Sequence, residues 1–271
     1  MSVAGKLDIP FNDKPKQRLK AKVLAPFREK YREERAMAVL PERLATTFFV
    51  ALTTEDRRFF YVRNSKCGCT TVSQLIHAYV FGRFFEGNIH LCDDIPHGLE
   101  NWRLHMEALA NPDTTRFTIV RHPLDRVRSA FFNFFIDQKN ISREQHMGNM
   151  AALGLDLEDP LDRNFDRFLD YIEMSFEQSR LYTDRHWRPQ VDNIAYGEID
   201  YDFIGKLEFL ERDIRQVFER AGAVDVVDRF LTGANFNRSS NRGGDEFEPS
   251  PRQLRRIQDF YAEDFDAFGY D

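Results

Sequence analysis

Only three cysteines occur in the 271 residues, and Cys67, Cys69 and Cys92 are an odd number without metal-ligand spacing. So little cysteine excludes a disulfide scaffold and suits a reducing compartment; neither a disulfide nor a bound metal is expected. Long apolar runs are missing too. No stretch approaches the ~20 residues that cross a bilayer, and the opening MSVAGKLDIPFNDKPKQ lacks the apolar centre of a signal peptide. A soluble cytoplasmic protein, at most peripheral to a membrane, is the expectation. Basic residues are not in excess either: 38 Lys and Arg face 44 Asp and Glu, a net charge of -6. A dedicated nucleic-acid binder, whose affinity comes from neutralising phosphates, is thereby disfavoured. No repeat at a solenoid period is present.

Against these absences stands a globular composition, with 42% hydrophobic and 30% charged residues and 26 phenylalanines to fill a core. The length suits one domain with a terminal addition. Residues 1–45 read as a polar, partly helical extension. Pro10, Pro15 and Pro26 interrupt its start, and the mixed charges of Phe27 to Val39 suit a surface helix. Residues 46–271 read as the main domain.

Within that domain, Phe59 to Arg63 is a short apolar run of the kind found in buried parallel strands. A loop follows at once, and from Thr70 the residues Val72, Leu75, Ile76, Tyr79 and Val80 recur at helical spacing. The order repeats: Arg116 to Arg121 reads as a strand, Pro123 opens a helix, and Val127, Phe131, Phe134 and Phe135 continue it. Polar residues 137–162 form an excursion with short helices, and Asn164 to Phe176 a further helix. Tyr201 to Leu207 reads as a later strand, followed by a helix over Glu208 to Ala221. Two strand–loop–helix units imply an α/β fold with a central parallel sheet.

Ligands of such sheets bind where strand ends enter helices, and two motifs fall there. In Asn64-Ser65-Lys66-Cys67-Gly68-Cys69-Thr70-Thr71, Gly68 permits a tight turn, the threonines offer hydroxyls, the helix start offers N–H groups, and Lys66 adds full charge. Together they make a phosphate cradle. In Arg121-His122-Pro123-Leu124-Asp125-Arg126-Val127-Arg128-Ser129, Arg121 and Ser129 suit a second phosphate, one by a bidentate guanidinium contact and the other by a hydroxyl. A P-loop kinase expects Gly-x-x-x-x-Gly-Lys-Ser/Thr and a metal-holding Asp. Here Lys66 precedes Gly68, and the second strand runs into Arg121. A non-catalytic binder of a phosphorylated or sulfated ligand is the other alternative. Thiol phosphatase chemistry is disfavoured, because Ser73 and Leu75 stand where such a loop needs arginine. Cys67 and Cys69 read as packing residues, with Cys67 an oxidisable thiol beside Lys66.

Taken in order, the two motifs resemble the 5′-phosphosulfate loop and 3′-phosphate motif of sulfotransferases that use 3′-phosphoadenosine 5′-phosphosulfate (PAPS), above all the Golgi chondroitin and dermatan 4-O-sulfotransferases. Arg185-His186-Trp187-Arg188-Pro189-Gln190, Tyr201 to Lys206, and Phe260-Tyr261 to Phe268-Gly269-Tyr270 are similar to further blocks of that family. The resemblance implies a P-loop NTPase-like three-layer fold and transfer of a sulfuryl group to a carbohydrate or glycolipid hydroxyl. It implies that Ser65, Lys66, Cys67, Gly68, Cys69, Thr70 and Thr71 surround the 5′-phosphosulfate and that Arg121 and Ser129 bind the 3′-phosphate. The family usually has Pro where Ser65 stands, and Asp or Glu where His122 stands.

Sulfuryl transfer needs charge neutralised on the leaving phosphate, for which Lys66 is the candidate, and a base for the acceptor hydroxyl. His97 lies at a spacing from Arg121 similar to that of the histidine base in related uronyl sulfotransferases, and His186 is the second candidate. His90 and His105 read as surface or packing residues. Arg238 and Ser239, in a Gly-containing loop, are candidates to fold over the nucleotide. Phe132, Phe134 and Trp187 read mainly as core.

Overall fold

The structure, a computed structural model of the protein, describes residues 7, 9, 10, 13, 25–231 and 247–271. Four strands form one sheet in the order β1 (Ala51–Thr53), β2 (Phe59–Val62), β3 (Thr115–Val120) and β4 (Phe203–Lys206). The helices are α1 (Glu29–Met37), α2 (Glu42–Phe48), α3 (Cys69–Phe81), α4 (Trp102–Ala110), α5 (Pro123–Phe131), α6 (Glu144–Ala152), α7 (Leu161–Ser179), α8 (Gln190–Asn193), α9 (Leu210–Arg220), α10 (Val224–Phe230), α11 (Pro251–Phe260) and α12 (Ala262–Phe268). Among the described residues two compact units are seen. One draws on Asp13–Val120 and Asp192–Phe236, the other on Met1–Asn12, Arg121–Val191 and Asn237–Asp271.

In the first unit β2, β3 and β4 run parallel; β2 and β4 lie inside the runs expected from the sequence, and β3 is shifted one residue toward the N-terminus of its run. The expectation of a parallel sheet needs one correction. β1 pairs antiparallel with β2, with Ala51 opposite Val62. A tight turn causes the reversal: the Asp56 carboxylate accepts from the Thr54 hydroxyl at 2.6 Å and from the Arg58 N–H at 2.9 Å. With only three residues, β1 is too short to show a period in sequence.

All four residues of β2 are buried, so both faces of the sheet must be covered. Phe59 and Tyr61 face one side, where Val72, Leu75 and Ile76 of α3 pack with Ile214, Val217 and Phe218 of α9. Phe60 faces the other, against Phe48 of α2 and His105 of α4. Helices thus lie on both faces of the sheet in this unit. His105, which the sequence left as surface or packing, is wholly buried. It holds the Thr53 hydroxyl at 2.8 Å and the Gly98 carbonyl at 3.0 Å, and burial pushes its pKa down to about 4. It is a neutral structural pin between β1 and α4.

The second unit is helical. α5, α7 and α11 surround Phe131, Phe132, Phe134, Phe135, Phe165, Phe168 and Trp187. The helix expected to continue through Phe135 changes pitch instead, passing at Phe132–Ile136 into a π turn closed by the Asp137 N–H on the Phe132 carbonyl at 2.7 Å.

One ion pair fastens β3 to the start of β4. Arg116 Nε and Nη2 donate to Asp202 at 2.9 and 3.1 Å, and the Arg116 N–H adds a third bond at 2.9 Å. Burial acts to raise the Asp202 carboxyl, but the hydrogen bonds and charge of Arg116 outweigh it and hold the pKa below the ordinary 3.8. Asp202→Asn should cost about 2 kcal/mol of unfolding free energy at neutral pH, the size of a charge-assisted hydrogen bond. Because the folded pKa is depressed, the wild-type advantage is complete above the ordinary Asp value and shrinks as pH falls through the lowered one. Denaturant titrations at neutral and acidic pH measure both.

Candidate active site

Six residues separate β2 from α3, and side chains from three directions fix their path. Asn64 is buried; its Nδ2 donates to the Ile119 carbonyl at 3.2 Å and its Oδ1 accepts from Asn193 Nδ2 at 3.2 Å. The loop is thereby tied to the end of β3 before it turns. Cys67 is buried beneath it, its thiol donating to the Ser65 carbonyl at 3.4 Å. Lys66 has φ +67° and Gly68 has φ +75°, both left-handed. For glycine this costs nothing, whereas for lysine it costs about 1–2 kcal/mol. Such strain persists only where its surroundings enforce it. Left-handed residues leading into a helix start favour a concave set of N–H groups suited to an anion.

Gly68 is required for a second reason. A Cβ there would lie 2.8 Å from Leu207 Cδ1 and 3.3 Å from Leu210 Cδ2. Cys69 and Thr70 begin α3, and both meet His90, whose Nε2 is 3.0 Å from Thr70 Oγ1 and 3.8 Å from Cys69 Sγ. His90 is therefore a residue of this loop's surroundings, not only a surface or packing residue as its sequence position implied. Twenty residues part it from Thr70, and nothing local marks the contact. Burial acts to raise the Cys69 thiol, but His90, Lys66 and Arg63 together bring its pKa below the ordinary value.

His97 belongs to the same unit. It forms a β-bridge with Leu52, and Leu52 pairs with Tyr61. The His97 backbone thus lies two strand spacings, about 9–10 Å, from β2 near its carboxyl end. Nδ1 lies 3.0 Å from the Ile95 carbonyl, which only accepts, so the neutral ring carries its proton on this nitrogen and Nε2 is the one that can take up another. Asp93 Oδ1 is 3.7 Å from Nε2.

The remaining candidates lie in the helical unit. Arg121 directly follows β3, and its backbone is gripped at both ends by Gln190: the Arg121 N–H donates to Oε1 at 2.9 Å and Nε2 donates to the Arg121 carbonyl at 2.8 Å. Gln190 is placed in turn by Asp264, which accepts from the Gln190 and Val191 N–H groups at 2.8 and 2.9 Å. Burial raises the Asp264 carboxyl to about 6. Ser129 is buried on α5. Arg126 spends its guanidinium on the carbonyls of Arg188 and Arg185, and Arg128 pairs with Asp125 at 3.3 Å. His122 packs edge-on to Phe265 and Tyr270.

His186 Nδ1 is 2.6 Å from Asp184 Oδ1, and its Nε2 faces Asn140 Nδ2 at 3.4 Å. The other Asp184 oxygen holds buried His146 at 3.0 Å. Burial acts to raise Asp184, but the charge of His186 and the bonds from both histidines hold it well below the carboxylate range. Trp187 donates to Thr183 and packs on Phe134 and Phe168, so these aromatics are core, as expected. Arg238 and Ser239 lie outside the described residues.

Comparison with known proteins decides the family. The profile described as "Sulfotransferase family" matches residues 50–271. The chain belongs to the sulfotransferase family. Among curated relatives, carbohydrate sulfotransferase 11 of Mus musculus is 27% identical over 164 residues, covering 57% of this chain and 46% of the relative. Carbohydrate sulfotransferase 12 of Mus musculus is 29% identical over 179 residues, covering 61% and 42%. Carbohydrate sulfotransferase 10 of Xenopus laevis is 26% identical over 168 residues, covering 57% and 47%. The chain thus spans less than half the length of these relatives. No solved structure matches it. Among the described residues no helix is long and apolar enough to cross a membrane.

Two measurements probe the loop of this sulfotransferase-family chain. Gly68→Ala should lower the unfolding free energy by about 1–3 kcal/mol, through the left-handed backbone and the contact with Leu207. Denaturant unfolding reads the change. Alkylation of Cys69 should show a pH midpoint below that of an ordinary cysteine, and His90→Ala should move it upward. Peptide mass analysis across a pH series follows it residue by residue.

Proposed function

We propose that this sulfotransferase moves a sulfuryl group from PAPS to a hydroxyl of a carbohydrate or glycolipid acceptor by in-line displacement. The observation that carries the proposal is the strained Lys66 beside left-handed Gly68, at the start of α3, in a chain of this family. The scaffold is read as P-loop NTPase-like, with residues 46–271 as the catalytic domain and residues 1–45 as an extension.

PAPS, when bound, supplies the sulfuryl group on a phosphate leaving group. The N–H groups of Ser65 to Thr71 and the hydroxyls of Thr70 and Thr71 hold the 5′-phosphosulfate, and Lys66 neutralises charge as it grows on the leaving oxygen. His90 orients the Thr70 hydroxyl from 3.0 Å. Arg121 and Ser129 take the 3′-phosphate, the group that separates this donor from ATP, and Arg238 and Ser239 complete the nucleotide contacts. His97 Nε2 accepts the proton of the attacking hydroxyl, its tautomer set by the Ile95 carbonyl. His186 is the second candidate. Its Nδ1 is committed to an aspartate that also holds His146, an arrangement that suits a fixed core residue. Charge from Lys66 and the helix start serves the transfer step without a metal.

Calorimetry and kinetics test these roles together. The wild type should bind 3′,5′-ADP in preference to ATP with Mg²⁺, and Arg121→Ala should weaken that binding by about 1.5–3 kcal/mol. Lys66→Ala should lower kcat by roughly 10²–10³-fold, the scale of a lost transition-state donor. His97→Ala should abolish turnover while leaving 3′,5′-ADP binding intact. Near-normal turnover in that variant would move the base to His186, and a preference for ATP with Mg²⁺ would contradict the donor assignment.

A further inference from the structure

The segment after α3 brings Cys92 and Asp94 back against His77, on the third turn of that helix. Nδ1 of buried His77 is 2.8 Å from the Arg83 carbonyl, which only accepts, so Nδ1 donates there and Nε2 is the ring nitrogen turned toward the segment after α3. What Nε2 faces is another acceptor, Asp94 Oδ2, at 3.4 Å. The Cys92 sulfur completes a triangle in which all three donor atoms lie within 4.8 Å of one another. Phe81 and Phe85 pack on the imidazole with ring centroids 4.6 and 5.5 Å away and fix its plane. With Nδ1 held by a carbonyl, Nε2, a carboxylate oxygen and a sulfur converge as a donor set that a cation placed among them would bind.

We propose that His77, Cys92 and Asp94 form a zinc site. Sulfur, imidazole and carboxylate donors select zinc over magnesium or calcium. Zinc bonds of about 2.0–2.3 Å put tetrahedral ligand atoms some 3.3–3.8 Å apart. The nitrogen–oxygen separation already lies in that range, and the sulfur closes by about 1 Å or less. The Arg83 carbonyl is the outer partner that metal-bound histidines characteristically use to hold their tautomer. Asp94, with 51% of its side chain exposed, opens the site to solvent, which supplies the fourth ligand. On binding, the Cys92 thiol gives its proton to solvent and the thiolate bonds the metal. No local spacing reveals the site: Cys92 lies fifteen positions after His77, and the three ligands meet only in the fold. Zinc here pins α3, whose first turn is the candidate anion loop, to the segment that carries both His90 and His97.

Cobalt(II), added to the tag-free full-length protein, tests the site independently of any transfer activity. One equivalent should bind with a thiolate-to-cobalt charge-transfer band. Cys92→Ser should abolish the band, Cys69→Ser should retain it, and Asp94→Ala, at an exposed position that does not threaten folding, should weaken binding at least tenfold. Zinc should raise the thermal midpoint of the wild type and not that of Asp94→Ala. Absence of the band in the wild type, its persistence in Cys92→Ser, or an Asp94→Ala affinity within twofold of wild type would overturn the assignment and leave His77 and Asp94 as a simple ion pair.

Discussion

A chain that leaves a buried strand at Val62 and enters a helix at Cys69 has six residues in which to reverse, and here it does so with Lys66 and Gly68 both left-handed. Glycine accepts that backbone freely; lysine does not. The cost falls on residues that hold the loop from below and beside: Asn64 bonded to Ile119 and Asn193, Cys67 buried on the Ser65 carbonyl, and Leu207 and Leu210 filling the space a side chain at position 68 would need. The sheet therefore does more than carry the loop. Its β3 end and the start of α9 are parts of the mould, and the first turn of α3 presents its N–H groups where that mould directs them.

Five of the seven histidines fall into three kinds of environment. His105 is sealed between Thr53 and Gly98, and its pKa of about 4 makes it a neutral structural link. His146 and His186 share buried Asp184, which binds both through charge and hydrogen bonds strong enough to overcome its own burial. His90 and His97 lie on the segment beyond α3, one against Thr70 and the other bridged to β1 beside the end of β2. In this last pair a half-exposed ring shares the unit of the loop, and the proposed proton transfer is assigned there.

Much of this was legible in the sequence, for definite reasons. Strands buried on both faces must be apolar throughout, so Phe59 to Val62 and Phe117 to Val120 announced themselves. Gly68 was legible because a tight turn into a helix needs a residue tolerant of left-handed geometry. Other features left no local trace. β1 is three residues long, its direction set by side-chain bonds in the Asp56 turn. The contacts of His90 with Thr70, of Gln190 with Arg121, and of Asp264 with Gln190 join residues 20 to 74 positions apart. Such pairings arise only when the elements pack. The His77, Cys92 and Asp94 cluster escaped for the same reason, and the expectation of no metal rested on spacing along the chain, which does not report distance across it.

Position of charge at one loop, and the identity of what it stabilises, is the central claim. Incubation of the protein with sulfur-35-labelled PAPS and a panel of glycan acceptors measures it most directly, with Lys66→Ala run in parallel. Label should appear in at least one carbohydrate acceptor with the wild type and fall by roughly 10²–10³-fold with the variant. Transfer by Lys66→Ala at the wild-type rate would contradict it.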